Sequence, residues 1–98
     1  MPRRKPPDQS SGLEDYLGQP VVLDTRSSYI IIGTLTQVGA DCLTLENVDV
    51  HDTSDGRSTK EHYIMEAHKL GLRTNRGGAK VRLAEVISVS LLKDVETY

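Results

Sequence analysis

The sequence predicts a mainly β fold, in which a short N-terminal helix precedes five antiparallel strands that form a strongly bent barrel. Two observations predict it. Residues 20–48 and 79–93 alternate between apolar and polar side chains, and turn-forming residues separate the runs. The longest run, YIIIGTLTQV, has Gly33 in its middle, where glycine usually marks a bulge or a bend. A strand that bends at a glycine allows a small sheet to curl into a barrel.

The elements can be placed in order along the chain. A helix of about two turns is predicted in SSGLEDYLGQP, where Ser10 or Ser11 can cap the first turn and Gly18 and Pro20 stop the last. The strands follow at PVVLDT, YIIIGTLTQV, CLTLENV, AKVRL and VISVSLLK. The third of these strands is expected to end at Val48.

The segment between the third and fourth strands, residues 49–78, is predicted to be an insertion that contains a helix at about 59–70. Its first part, DVHDTSDGRS, is polar and rich in turn-forming residues. The following STKEHYIMEAHKLGL has helical spacing instead, because three apolar residues share one face of a helix. These residues are Tyr63, Ala67 and Leu70.

Both ends of this predicted helix carry signals of their own. Ser58 and Glu61 have the spacing of a capping box, in which each side chain bonds the backbone N–H of the other residue. Gly71 follows the last turn, and glycine commonly ends a helix at this position. We therefore expect the helix to begin after Ser58 and to end before Gly71.

Length and composition restrict the class of protein. The chain has 98 residues without Trp or Phe, which fits one domain with an aliphatic core, predicted to occupy residues 12–98. MPRRKPPDQSS combines three adjacent cations with three prolines, so residues 1–11 are predicted to be a disordered basic arm. One cysteine, Cys42, excludes an internal disulfide and favours a reducing compartment. No apolar run reaches the roughly 20 residues of a membrane span, and we expect a cytoplasmic protein without a membrane partner.

Several segments resemble the Sm/Lsm family, including its bacterial Sm-like members. GTL at residues 33–35 matches the Gly-x-Leu of the family's first motif, and LTLENV at 43–48 matches the strand that closes that motif. VRLAEVISV at 81–89 resembles the second motif, Ile-Arg-Gly-x-x-Ile-x-x-Ile. The resemblance covers residues 13–48 and 79–92. It implies an Sm-like (SH3-like) barrel with an insertion between the two motifs.

The resemblance also implies an assembly and a ligand. In the family, the fourth strand of one copy pairs with the fifth strand of the next, six or seven copies form a ring, and single-stranded RNA binds near the central pore. It therefore implies a non-catalytic RNA-binding or scaffolding protein that forms a homo-oligomer and needs no cofactor. The physical chemistry of sheets agrees on one point, because the open edges of a five-stranded barrel are usually paired or covered.

The family's uridine site is matched only in part. The family reads uridine with an Asp-x-aromatic-x-Asn loop after the second strand and an Arg-Gly turn after the fourth. Here the loop is QVGADC, which has no aromatic residue and no Asn, and Asp41 is its one candidate acid. Arg82 corresponds to the arginine, but Leu83 replaces the glycine. Because stacking on an aromatic ring contributes roughly 1–3 kcal/mol per base, the sequence does not predict this uridine pocket.

Charge is unevenly distributed in the second half of the chain. Residues 41–55 contain five carboxylates and no Lys or Arg, whereas residues 67–84 contain five cations and no acid. One interpretation is that the cations form a phosphate-binding strip for RNA, with Asp41 as a base contact. The other is that the acidic and basic segments neutralise each other, within one subunit or around a ring. The five cations are Lys69, Arg73, Arg76, Lys80 and Arg82.

Other functions remain as alternatives. The first is a protein-interaction module, in which the insertion helix docks a partner and RNA plays no part. A metal-dependent enzyme is the third choice, because His51, Asp52, His62 and Glu66 could ligate a metal if the fold brought them together. Neither an HExxH motif nor paired cysteines are present, so we predict no metal and no enzyme. Tyr63 could stack on a base, but its place in the apolar stripe favours the core.

Overall fold

A computed structural model describes residues 12–97, and five strands of this range form one antiparallel sheet. The strands are β1 (Pro20–Thr25), β2 (Tyr29–Val38), β3 (Cys42–Asp52), β4 (Arg76–Arg82) and β5 (Val86–Leu91). Their spatial order is β4-β3-β2-β1-β5, and helix α1 (Lys60–Leu70) connects β3 to β4. The predicted fold class is confirmed. The predicted basic arm, residues 1–11, lies outside the described part of the chain.

The sheet must curl, because one short turn connects strand ends that a flat sheet would hold far apart. Val86 pairs with Thr25 near the start of β2, whereas Arg82 pairs with Cys42 near the end of β2. The ten residues of β2 span roughly 30 Å. Yet a single 3-10 turn, Leu83–Glu85, joins Arg82 to Val86, and such a connection reaches at most about 15 Å. The sheet therefore curls into a partly open barrel, in which β4 and β5 remain the two edges.

Apolar side chains pack in two layers on opposite faces of the sheet. The inner layer draws on all five strands and forms the interior of the barrel; its buried members are Val21, Leu23, Leu35, Leu43, Leu45, Val48, Val81 and Leu91. The outer layer consists of Val22, Ile30 and Ile32, which pack against Ala67 of α1. The insertion helix therefore covers the outer face of β1 and β2 and leaves the barrel interior to the strands.

A bulge in β3 lies opposite Gly33. Ile32 pairs with Asp49 and Thr34 pairs with Glu46, so one residue of β2 opposes two residues of β3. Such a bulge bends the strand and increases its twist. The sequence predicted a bend of β2 at this glycine, and the structure places an irregularity of the β2–β3 ladder there, with the extra residue in β3.

Gly33 is also the point of closest approach between the two strands. A Cβ atom at this position would lie 3.2 Å from the carbonyl oxygen of Glu46 and 3.2 Å from Cδ2 of Leu45. Across the bulge, Asn47 has a φ of 51°, in the left-handed region that asparagine tolerates better than most residues. The glycine thus allows the bent strands to pack without a steric clash.

The segment before β1 is shorter than predicted. It forms a single 3-10 turn, Leu13–Tyr16, instead of a helix of two turns. The amide of Gly18 donates to the carbonyl of Leu35 (2.7 Å), so the chain joins the sheet directly after this turn. The apolar residues of the turn still pack against the barrel interior. The predicted caps, Ser10 and Ser11, lie outside the described residues.

Strands β3 and β4 are longer than predicted. β3 continues to Asp52 because its last residues pair with β2, although DVHD is polar. β4 begins at Arg76 instead of Ala79, because the edge of β3 pairs even with a glycine-rich segment. The connection between the two strands is therefore residues 53–75, against the predicted insertion at 49–78.

Helix α1 lies within the predicted range, but its N-cap differs. Thr59, not Ser58, caps the first turn, since its side chain accepts a hydrogen bond from the amide of His62 (3.1 Å). Gly71 ends the helix at the predicted position, with a φ of 89°, but its ψ of 168° differs from that of the left-handed cap that glycine commonly forms there. Lys60 anchors the first turn to the sheet, because its ammonium contacts a carboxylate oxygen of Asp24 at 2.7 Å.

The predicted apolar stripe of α1 is correct at two of three positions. Ala67 is buried and Tyr63 is half-buried against the outer layer. Leu70 is 80% exposed, because the last turn borders an open cleft instead of the sheet. Among residues 12–97, no helix has the length and apolar character needed to cross a membrane.

Replacing Gly33 with valine is expected to lower the free energy of unfolding by about 1–3 kcal/mol, the usual cost of overpacking. The new side chain would collide with Leu45 and with the carbonyl of Glu46. Urea denaturation followed by circular dichroism measures the change. Gly77→Val is the control, since a Cβ at Gly77 meets nothing within 4 Å; it should change stability by less than about 0.5 kcal/mol. Equal stability of Gly33→Val and the wild type would contradict the close approach.

Candidate nucleic-acid interface

The loop after β2 and the turn after β4 meet at one corner of the barrel. The amide of Leu83 donates to the carbonyl of Asp41 at 2.8 Å. Arg82 lies directly opposite Cys42 in the β3–β4 ladder. Residues far apart in the sequence, including Asp41 and Arg82, are therefore neighbours. We call the surface formed by residues 39–41, residues 82–85 and Arg26 the loop corner.

Arg26 joins the loop corner from the turn between β1 and β2. Its backbone amide donates to the carbonyl of Glu85 (2.9 Å), and its Nε donates to the carbonyl of Ala84 (2.8 Å). The side chain is exposed, so the rest of its guanidinium faces solvent. Sequence analysis missed this residue, because RSS indicates only a turn. The one available signal was a single cation in a hairpin turn.

The predicted cations of β4 divide between its two ends. Lys80 and Arg82 are exposed on the same side of the strand, since Ala79 and Val81 point into the barrel. Both cations therefore lie at or next to the loop corner. Arg76 is at the other end of β4, roughly 20 Å from Arg82 along the strand.

The remaining two predicted cations belong to the helix side of the molecule. Lys69 is exposed on the last turn of α1, and Arg73 borders the cleft between α1 and β3. The structure thus brings Asp41, Lys80 and Arg82 together and separates them from Lys69 and Arg73.

Direct ion pairs do not neutralise the acidic segment with the basic one. The described part of the chain contains three ion pairs: Arg57 with Asp55, Lys60 with Asp24, and His62 with Glu66. None of them joins residues 41–55 to residues 67–84. Within the described residues, the cations of the loop corner therefore have no carboxylate within ion-pair distance.

The histidines do not converge on a metal site. His62 contacts Glu66 through Nε2 at 2.7 Å on the exposed face of α1. His51 stacks on the ring of Tyr63, with centroids 3.8 Å apart and planes 3° from parallel. Asp52 accepts a hydrogen bond from Ser28 at 2.6 Å. Residues 12–97 contain no group of three or more His, Cys, Asp or Glu side chains placed to hold a metal ion.

Tyr63 is held by its neighbours instead of being free to stack on a base. Its hydroxyl donates to a carboxylate oxygen of Asp49, and one face of its ring is covered by His51. Burial, and then the hydrogen bond to Asp49, raise the pKa of the Tyr63 phenol. The phenol therefore stays neutral and keeps its donor role at physiological pH.

Tyr63→Phe is expected to weaken the dependence of stability on alkaline pH. A phenol whose pKa is raised in the folded state stabilises the fold fully below its ordinary pKa of 10.0, and this contribution is lost as pH rises above that value. Thermal melts between about pH 8 and pH 11 measure the effect. The wild type should lose more stability than Tyr63→Phe across the upper half of this range. Parallel curves would contradict the raised pKa.

Solved structures with a similar fold include Sm proteins. The Sm protein of Pyrococcus abyssii, solved with a uridine heptamer, matches with a TM-score of 0.57 and 13% identity, over 90% of this chain and 99% of that chain. A heptameric archaeal Sm protein matches with a TM-score of 0.57 and 23% identity, over 84% of this chain and 97% of that chain.

A chain of the NatC complex bound to CoA is similar as well. It matches with a TM-score of 0.56 and 22% identity, over 97% of this chain and 94% of that chain. No protein-family model and no curated protein matches the sequence. The arrangement of five strands, the bend at Gly33 and the match to Sm structures along most of the chain agree. This protein therefore has an Sm-like fold.

Proposed function

We propose that this protein binds single-stranded RNA at the loop corner without catalysing a reaction, and that it assembles into a ring-like homo-oligomer through its sheet edges. The observation that carries the RNA proposal is the convergence of Arg26 and Arg82 beside the Asp41–Leu83 hydrogen bond. The uridine heptamer bound to the similar Pyrococcus abyssii protein supports the choice of ligand. The single free cysteine, Cys42, supports a cytoplasmic location.

The chemistry of the loop corner favours contacts to the RNA backbone. Arg26, Lys80 and Arg82 provide exposed cations for phosphates, whereas the loop at residues 39–41 has no aromatic ring on which a base could stack. The carboxylates of Asp41 and Glu85 repel phosphates, and that of Asp41 can accept a hydrogen bond from a base N–H. We therefore expect binding that depends strongly on salt and only weakly on base sequence.

The cations outside the loop corner have a secondary place in this proposal. Arg76 lies about 20 Å from Arg82 along β4 but lines the same surface pocket as Lys80 and Arg82, so it would contact a strand that follows β4 away from the loop corner. Arg73 and Lys69 lie on the helix side, where they would contact RNA only if the strand wraps around the barrel. Charge reversal of Arg73 and Arg76 should therefore weaken binding of long strands more than binding of short ones.

The ring proposal rests on the two open edges of the sheet, β4 and β5. The Leu83 amide donates to Asp41, and the β3–β4 register is regular. Successive amides of a strand point to opposite sides. The amide of Val81, two residues before Leu83, therefore points to β3, and the amides of Lys80 and Arg82 point to the open edge. β5 is also open, and its Ile87 is 65% exposed. Unpaired edges of this kind can pair with another copy.

Replacing Arg26 and Arg82 together with glutamine is expected to weaken RNA binding at least about tenfold, since two charge-assisted contacts are lost. Fluorescence anisotropy of labelled oligo(U) and oligo(A), at about 50 and about 200 mM salt, measures the affinity. The slope of log K against log salt concentration should also become shallower by about 1.4, because each of the two lost phosphate contacts contributes about 0.7.

Arg57→Gln is the matched control for this experiment, because Arg57 is an exposed arginine in the connection before α1 and outside the loop corner. It should bind RNA like the wild type. If the wild type bound no RNA at either salt concentration, or if the double variant bound as tightly as the control, the RNA proposal would be wrong.

Lys80→Pro is expected to reduce the oligomer to smaller species, because proline removes an edge N–H that a neighbouring strand would use. The substitution leaves the β3–β4 ladder intact, since the Lys80 amide points away from β3. Size-exclusion chromatography with light scattering measures the mass. Lys80→Gln removes the same charge and keeps the N–H, so it should assemble like the wild type. A monomeric wild type, or a Lys80→Pro variant of wild-type mass, would contradict edge pairing.

A second candidate function is a non-catalytic structural subunit of a protein complex. The similarity to a chain of the NatC complex favours it, since that chain belongs to a multi-chain assembly. In this case the exposed face of α1, including Glu61 and Lys69, would contact the partner. Charge changes on this face would then prevent assembly, while changes at the loop corner would have no effect.

A further inference from the structure

A cleft of about 110 Å³ lies between β3 and the last turns of α1, away from the loop corner. Asp49 of β3 and Tyr63 of α1 line it, together with Glu66, Leu70 and Arg73. The side chain of Asp49 is an unusual feature here, because this residue is only 3% exposed. Carboxylates are rarely buried to this extent unless they are paired.

The carboxylate of Asp49 is satisfied on one side only. Its Oδ2 accepts the hydroxyl of Tyr63, and no ion pair of residues 12–97 includes Asp49. No buried side-chain oxygen or nitrogen of the described residues lacks a hydrogen-bond partner. Since Tyr63 is the one described residue that bonds this side chain, the second oxygen must be reached from the cleft. A buried carboxylate without a cation is costly, and a ligand cation would offset that cost.

The surroundings of Asp49 also favour a positive charge. The cleft lies at the C-terminal end of α1, beside Ala67 and Gly71, where the helix dipole attracts cations. Glu66, whose Oε1 contacts His62, adds a second carboxylate at the rim. Leu70 offers an exposed aliphatic surface, against which the methylene groups of a long basic side chain can pack.

We infer that this cleft binds an organic cation, namely the guanidinium or ammonium group of an arginine or lysine side chain presented by a protein partner. The site is distinct from the loop corner, and RNA carries no group of this charge, so the inference goes beyond the proposed function. Arg73 is the resident cation at the rim. It has no ion-pair partner within the described residues, and its positive charge at the rim would compete with that of a bound ligand.

An NMR titration of the full chain tests the inference. The probes are N-acetyl-arginine amide, N-acetyl-lysine amide and N-acetyl-citrulline amide, the last being a neutral analogue of the first. The arginine or the lysine derivative should shift the amide signals of Asp49, Tyr63 and Gly71 saturably, and the stronger binder identifies the preferred headgroup. The citrulline derivative should not. Equal shifts with citrulline, or no saturable shift with either cation, would overturn the inference.

Two substitutions assign the contact to Asp49. Asp49→Asn should raise the Kd of the better cation at least about tenfold. Asp52→Asn is the matched control on the same strand and outside the cleft, and it should leave the Kd unchanged. If Asp49→Asn does not fold, Glu66→Gln should still raise the Kd, by a smaller factor. Arg73→Gln should lower the Kd, because it removes the competing cation. Weaker binding by Arg73→Gln would show an anion site and overturn the inference.

Discussion

The close approach of β2 and β3 at Gly33 is the constraint on which the rest of the structure depends. A Cβ there would lie 3.2 Å from both the Glu46 carbonyl oxygen and Leu45 Cδ2, so glycine favours the close packing around the bulge at Asn47 and the bend that follows from it. Because the strands bend, the three-residue turn after β4 reaches both Asp41 and Arg26. The loop corner is therefore a consequence of barrel closure, and a flat sheet of the same strands would not form it.

The position of α1 keeps two surfaces of the molecule separate. The helix covers the outer layer around Ile30 and Ile32 and extends towards β5, because its Glu61 and Ile64 line a pocket with Ser88 and Ser90. The loop corner lies outside this region. A protein partner on the helix side would thus use a different face from RNA, whereas RNA and a neighbouring copy would both approach β4 at Lys80 and Arg82. The Asp49 cleft belongs to the helix side, which places its cationic ligand away from the cations that would contact phosphates.

The sequence predicted those parts of the fold that depend on local patterns. Alternation revealed five strands because each strand buries one face, and Gly33 marked the bend. The continuation of β3 beyond Val48 could not be predicted from alternation, because the bulge buries both Val48 and Asp49 and so interrupts the alternation of buried and exposed side chains. Leu70 fits a helical stripe by spacing, but spacing cannot show where the surface beneath the helix ends. Arg26 reaches Ala84 across 58 residues of sequence because β1 pairs with β5, and local patterns do not show which distant strands pair.

The central claim is that the outer edge of β4 pairs with another copy of this chain. Residue-resolved hydrogen exchange at micromolar protein concentration tests it most directly, because the strand contains its own control. The amide of Val81 faces β3 and should be protected in any folded state. If copies pair at this edge, the amides of Lys80 and Arg82 should exchange as slowly as that of Val81. Rapid exchange at Lys80 and Arg82 beside a protected Val81 would contradict the account.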